Sequence, residues 1–311
     1  MSDQIDGEEM KEVQELLEQE MPRQSQEAQD AQEAVPAAAP VQGQEAVPAA
    51  APVQGQEAVS EAAPASEERS LHTLRVSSLY KNFGKKKVVK GVDFSVQTGE
   101  VLGLLGPNGA GKTTSFYMIV GFYKPTSGEI FLDDKCITPL AMYKRAQMGI
   151  SYLPQEASVF RKLTVEDNIW AILENRNDLT HRQKKDLLEE LIEEFSITRI
   201  RRQYAYTLSG GERRRTEIAR SLAIDPKFLL LDEPFAGIDP IAVSDLKKMI
   251  QILKRRGIGI LITDHNVRDT LEITDRAIII NNGEIIAQGP RDDILQNEKA
   301  RQFYLGSDFS M

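Results

Sequence analysis

Residues 106–114 read GPNGAGKTT, and the spacing of Gly106, Gly111, Lys112 and Thr113 is that of a loop built to hold phosphate groups. Gly106, Gly109 and Gly111 let the backbone bend tightly and turn its N–H groups inward, with Pro107, Asn108 and Ala110 completing the turn. Lys112 has the reach for β- and γ-phosphates, Thr113 offers a hydroxyl to Mg2+, and Thr114 is placed for an α-phosphate. A second chemical pair, Asp232 and Glu233, follows the uninterrupted apolar run Phe228–Leu231. At the carboxyl end of a buried parallel strand, Asp232 suits Mg2+ through water, and Glu233 suits orienting or deprotonating an attacking water.

Three further places carry chemical potential. TLSGGE, residues 207–212, sets Ser209, Gly210 and Gly211 at a helix start, a second anion-binding nest. Arg213, Arg214 and Arg215 behind it read either as solvated or as orienting that nest. His265, one of three histidines, follows the apolar run 257–263 and reads either as a γ-phosphate contact or as a strand-terminating hydrogen bond. Gln155 closes the run Gly149–Pro154, within reach of a metal or a water, in a place where glutamine is also an ordinary loop residue.

The phosphate loop needs a strand before it and a helix after it, and Glu100–Leu105 and Ser115–Gly121 supply them. Upstream, Thr73–Leu79 and Val88–Val96 read as strands around a turn at residues 81–85, with Lys85, Lys86, Lys87 and Lys90 on a solvated hairpin. After the turn Pro125–Gly128 comes a strand at Glu129–Asp133. Leu163–Leu173 reads as a helix capped by Thr164, and Thr180 precedes one whose core stripe is Leu187, Leu188, Leu191, Ile192 and Phe195. Glu212–Ile224 reads as the helix opened by the second nest. Ala277–Ile280 and Glu284–Gln288 flank Asn281-Asn282-Gly283, a hairpin signal. The pattern is α/β with an antiparallel ending.

Charge divides the 311 residues in two. Residues 1–70 hold 16 of the 47 acidic side chains and 3 of the 38 basic ones. The net charge of -9 is therefore a tail of -13 on a body of +4. In the tail, QEAVPAAAPVQG at 32–43 recurs unchanged at 44–55 and begins again, degraded, at 56–66. Its Pro, Ala and Gln content predicts a disordered segment. Gly7–Met21 alone shows helical spacing, through Met10, Val13, Leu16, Leu17 and Met21. A single cysteine, Cys136, excludes an intrachain disulfide framework. No apolar run approaches the roughly 18 residues of a membrane span, and the acidic start is unlike a secretory signal. A soluble protein of a reducing compartment is expected.

Together, the loop at 106–114, Gln155, LSGGE at 208–212, LLLDEP at 229–234, Asp239 and His265 resemble the ATP-binding subunits of ABC transporters. LSGGE is the specific part, since phosphate loops occur in many ATPases. The resemblance spans 71–311. It implies a P-loop nucleotide-binding domain with a RecA-like core, an antiparallel β subdomain and a helical subdomain at roughly 156–225. It also implies ATP and Mg2+ as ligands, with Thr113, Gln155 and Asp232 around the metal. Phe83 is implied as the ring stacked on adenine, with Tyr80 as the alternative. Glu233 is implied as general base, His265 as the switch histidine, and Ser209, Gly210 and Gly211 as the cap on a γ-phosphate held by a second copy. Asp239 belongs to that homodimer interface. Gln155, Phe160 and Arg161 are implied to receive a helix from a membrane partner. Within the family, the stretches 106–121, 149–169, 208–223, 229–243 and 259–277 and the ending YLGSDF are similar to the lipopolysaccharide-export branch. That branch implies two transmembrane permease subunits, a single-span partner and a place on the cytoplasmic face of an inner membrane. ATPases of branched-chain amino acid importers share much of the wording and stand as the alternative. Soluble family members that act on nucleic acid or in translation carry a long insertion or a second cassette, and neither is found here.

Overall fold

The computed structural model describes residues 71–237 and 240–305, all within the compact unit Ser70–Met311. The acidic repeats, the helical spacing at Gly7–Met21, Asp239 and the end of YLGSDF lie outside the described residues. Two sheets organise the rest. One is antiparallel, in the order β2-β1-β4-β5: β1 Thr73–Phe83, β2 Lys86–Gln97, β4 Ser127–Leu132 and β5 Lys135–Cys136. The other has six strands in the order β10-β9-β3-β8-β7-β6. Its members are β3 Val101–Leu105, β6 Ile150–Leu153, β7 Phe228–Asp232, β8 Gly259–Thr263, β9 Arg276–Asn281 and β10 Glu284–Pro290. Five of these run parallel, and β10 pairs antiparallel to β9 at the edge.

Strands β3, β7 and β8 are buried at every residue, which is why they are written as unbroken apolar runs rather than alternations. Strand β1 extends past the apolar alternation that ends at Leu79. Backbone pairing continues through Lys81↔Val89, Asn82↔Lys87 and Phe83↔Lys86, so the expected five-residue turn shrinks to Gly84 and Lys85. Ladder hydrogen bonds ask nothing of the side chains, and sequence alternation does not report them. In the β9–β10 turn, Asn282 and Gly283 both take positive φ, 49° and 82°, as the Asn-Gly pair predicts.

Helix α1, Lys112–Val120, follows the phosphate loop; α2 is the short Met142–Gln147. Neither α2 nor β5 has a periodic signal in the sequence. What fixes α2 is Arg145, only 2% exposed, whose guanidinium donates to the carbonyls of Met118, Ile119, Thr138 and Leu140. It thereby satisfies the last carbonyls of α1, groups that burial would otherwise leave unpaired. Helices α3 Val165–Leu173, α4 His181–Glu194 and α5 Gly210–Leu222 pack on one another. Each begins with a reciprocal capping box: Thr164 with Asp167, Thr180 with Gln183, and Ser209 with Glu212. Their shared core includes Val165, Ile169, Leu191, Ile192 and Ile218, continuous with Leu229 and Leu231 of β7. Helix α6, Pro240–Arg255, and α7, Val267–Ile273, pack together further along the chain. Among the described residues no helix is long and apolar enough to cross a membrane.

Candidate active site

Strand order places the chemistry. β3, β8, β7 and β6 lie side by side and parallel, with Leu104 level with Thr263, Thr263 with Asp232, and Leu153 with Leu231. Their carboxyl ends therefore deliver the loop 106–114, His265, Glu233 and Gln155 to one edge of the sheet, where open α/β sheets bind ligands.

The loop requires its glycines, though not all for one reason. Gly106 has φ +149° and a Cβ there would stand 2.1 Å from the Ile280 carbonyl oxygen; Gly111 has φ +102° and a Cβ would stand 2.8 Å from that of Val88. Gly109 differs: nothing lies within 4 Å of a Cβ there, so close approach of the backbone does not explain it, and its requirement is the left-handed φ of +74° alone. No side chain caps α1 and no acidic residue occupies its first turn, so the helix start is left to an anion. Lys112 Nζ donates to the carbonyls of Gly106 at 2.7 Å and Pro107 at 3.0 Å. Burial lowers its pKa, while Glu233, Asp264 and Asp232 pull the other way.

Three carboxylates act on it, of which Asp232 and Asp264 are buried and Glu233 is partly exposed. Asp232, 4% exposed, accepts from Thr263 Oγ1 at 2.7 Å. Burial raises its pKa, and the charges of Glu233 and Asp264 add to that. Glu233 holds φ at +40°, a left-handed conformation that costs a non-glycine residue energy and concentrates at functional sites. Its N–H is tied to the Thr263 carbonyl at 2.8 Å, and Oε2 lies 3.4 Å from His265 Nδ1. The His265 side chain is 57% exposed, so it sits at the open rim of the edge rather than in the interior. The strand-terminating bonds belong instead to Asp264, fully buried, whose carboxylate accepts from the N–H groups of Phe235 at 3.0 Å and Asn266 at 2.7 Å. Burial raises the Asp264 pKa as well. Asp264 thus ties the turn after β7 to the turn after β8. The sequence reading passed over it, although it follows an apolar strand just as Asp232 does.

These residues fit Mg2+. Among the described residues no three His, Cys, Asp or Glu side chains form a metal cage. Mg2+ is instead usually held by one or two carboxylates, waters and phosphate oxygens. A desolvated Asp232 next to two further carboxylates is an arrangement that a divalent cation relieves.

Past β6, Gln155 is exposed. The loop it opens is braced from behind by Arg214, whose Nη1 donates to the Pro154 carbonyl at 3.1 Å and to Glu217 at 3.3 Å. The Arg214 side chain is only 11% exposed and so is not solvated; burial lowers its pKa, and Glu217 partly restores it. Phe160, 37% exposed, is held through its backbone by Asn168 at 2.8 and 3.1 Å and lies under Arg220 at 4.9 Å. Arg161 is exposed beside it, its carbonyl accepting from Tyr206 N–H.

Of the two aromatics at the end of β1, Phe83 is 8% exposed, edge-on to Tyr123 with the Lys81 ammonium over its ring. Tyr80 is 41% exposed and lies against Gly91. The nest at Ser209 opens α5 two residues earlier than the sequence suggests, because Ser209 caps the helix with Glu212. Gly210 has nothing within 4 Å of a Cβ position. α5 packs on β6, α3, α4 and α6.

Comparison with known proteins gives a consistent result. A family model described as ABC transporter matches residues 89–236. The lipopolysaccharide export system ATP-binding protein LptB of Haemophilus influenzae is 54% identical over 238 residues, covering 76% of this chain and 99% of its own. The protein of the same description from Escherichia coli K12 is 52% identical over 239 residues, 77% of this chain and 99% of its own. Among solved structures, the ADP conformation of an ATP-binding cassette of an ABC transporter matches with a TM-score of 0.67 at 29% identity, over 76% of this chain and 99% of that one.

Proposed function

The chain belongs to the ABC transporter family as an ATP-hydrolysing ATP-binding subunit, and from that premise we propose that it powers extraction of lipopolysaccharide from an inner membrane for export to the outer membrane. The observation that carries the substrate is the 54% identity to an export-system ATPase across 99% of that protein's length. Its partners are two permease subunits of the LptF/LptG kind and a single-span LptC-like protein, and it works at the cytoplasmic face of the membrane. Phe160 and Arg161, with Gln155, receive a helix from the permeases.

In this reading the loop 106–114 takes the phosphates of ATP, and the end of β1 takes adenine, on Phe83 or on Tyr80. Thr113, Gln155 and Asp232 hold Mg2+, which when bound neutralises charge on the phosphate oxygens. Lys112 adds a positive charge to the phosphates, and the loop N–H groups donate to them. Glu233 accepts the proton of the attacking water, and His265, beside it, holds the γ-phosphate end. One chain supplies half of each site. A second copy brings Ser209, Gly210 and Gly211 to the γ-phosphate, and Asp239 lies in that interface.

Two measurements test the reading. Glu233→Gln is expected to keep ATP binding, lose most turnover and accumulate a nucleotide-bound dimer; unchanged turnover removes Glu233 from the base role. A mild-detergent pull-down from native membranes, read by mass spectrometry, is expected to recover the export permeases. Recovery of amino acid importer permeases keeps the ATPase and overturns the substrate.

A further inference from the structure

Two backbone turns carry Glu233 and His265, and one buried carboxylate is bonded to both. Glu233 opens the turn after β7, which closes through the Ala236 N–H and the Glu233 carbonyl at 3.1 Å. His265 sits in the turn after β8. Asp264, fully buried, has one oxygen for each. Its Oδ2 accepts from the Phe235 N–H at 3.0 Å, just past Glu233 in the chain. Its Oδ1 accepts from the Asn266 N–H at 2.7 Å, which closes a side-chain turn around His265. Asn266 in turn caps α7, its Oδ1 accepting from the Asp269 N–H at 3.2 Å. The His265 turn is thus pinned at both ends, and the Glu233 turn is pinned to it. Across the gap, His265 Nδ1 and Glu233 Oε2 stand 3.4 Å apart.

Closing the turn around His265 does not need a charge. Asparagine has one acceptor oxygen and closes the same kind of turn. What asparagine lacks is a second acceptor for the Phe235 N–H, because its other terminus is a donor. A buried carboxylate beside Glu233 is costly, and the second acceptor is what it adds. We propose that Asp264 is a positioning residue that sets the turn of Glu233 against the turn of His265, so that the two side chains meet at the γ-phosphate end. The proposal rests on the reading of Glu233 and His265 as the residues that act there.

Asp264→Asn keeps the side-chain shape and the turn around His265 and gives up the bond to Phe235. The first readout needs no turnover. The chain has three histidines, His72, His181 and His265, so in the full chain grown with isotope-labelled histidine the imidazole NMR signals are few, and His265→Ala identifies the relevant one. Glu233→Gln should shift the His265 ring signal in the wild type and leave it nearly still in the Asp264→Asn background, as expected when Asp264 holds the pair together. The second readout is turnover of ATP with Mg2+. In Asp264→Asn, kcat should fall about ten- to a hundredfold, the effect of a small displacement at a reacting centre, with KM unchanged. Leu191→Ala, in the core of α4, controls for lost stability: it should lower the denaturation midpoint and leave kcat in place. Asp264→Ser, which still accepts from the Asn266 N–H, repeats the test if Asp264→Asn does not fold. The proposal is overturned if Glu233→Gln shifts the His265 signal equally in both backgrounds, or shifts it in neither. It is also overturned if kcat is unchanged, or falls only as far as stability does, as judged against Leu191→Ala. If Glu233→Gln and His265→Ala themselves leave turnover intact, the reading of the site fails instead, and that is seen before Asp264 is altered.

Discussion

The chain starts two helices with glycine, and it finishes them in opposite ways. At α1 the glycines are demanded by the chain's own backbone: Gly106 faces the Ile280 carbonyl and Gly111 that of Val88, both at positive φ, and no side chain caps the helix. At α5 the helix is capped by its own residues, Ser209 and Glu212, and Gly210 has no neighbour for a Cβ to meet. A glycine that nothing in its own chain requires is explained by something approaching from outside. The first start is left without a cap of its own, in keeping with the proposed binding of phosphate there. The second is a finished helix end with its approach kept clear, in keeping with the proposed arrival of a nucleotide held by a second copy.

Gly106→Ala attacks the first start and should have the largest effect. A methyl group 2.1 Å from a carbonyl oxygen, at φ +149°, cannot be accommodated without moving the backbone. Loss of about 3 kcal/mol or more is expected. Chemical denaturation should show it together with loss of nucleotide binding; a variant of normal stability would mean that the loop is looser than its contacts indicate.

Gly210→Ala separates the two starts most sharply. The new methyl meets nothing within 4 Å in its own chain, and alanine suits the first turn of a helix. Stability should change by no more than about 0.5 kcal/mol. Turnover should nevertheless fall about a hundredfold, because a displacement of about 1 Å at a reacting centre is enough for that. Equal turnover at equal stability would break the comparison, and Gly210 would then be only a helix residue.

How far the sequence reveals such a site depends on the range of the interaction concerned. The phosphate loop is legible because its geometry is local: the glycines, Lys112 and Thr113 lie within one stretch, and the strand and helix around it announce themselves by apolar runs. The caps at Thr164 and Thr180 are legible for the same reason. Asp264 and Arg214 are not. Asp264 matters because β8 lies beside β7, and Arg214 because α5 brings it to the Pro154 carbonyl. Arg145 is less legible still: its carbonyl partners, Met118 and Ile119 on one side and Thr138 and Leu140 on the other, lie in two separate stretches of the chain, and no spacing rule joins them. The burial of Phe83 under Lys81 and beside Tyr123 is likewise a property of how distant segments meet, not of the residues around it.

The smallest effect belongs to the cap itself, and it carries a pH signature that α1 lacks. The Ser209 hydroxyl and N–H both donate to the Glu212 carboxylate, at 2.7 and 2.9 Å, and these bonds hold its pKa below the ordinary glutamate value. Its folded pKa is thus depressed, so its contribution is fully present above the unfolded value of about 4.3 and is lost as pH falls through the lower folded value. Glu212→Ala should cost about 1 kcal/mol near neutral pH, the usual worth of a cap. In denaturant titrations the gap between wild type and variant should narrow as pH drops below about 4 and close once the folded carboxyl is protonated. A gap that stays constant into acid would show that Glu212 supports α5 by packing rather than by charge. α1 has no acidic side chain in its first turn and offers no such handle: the negative charge that completes it must come from a ligand, whereas α5 carries its own.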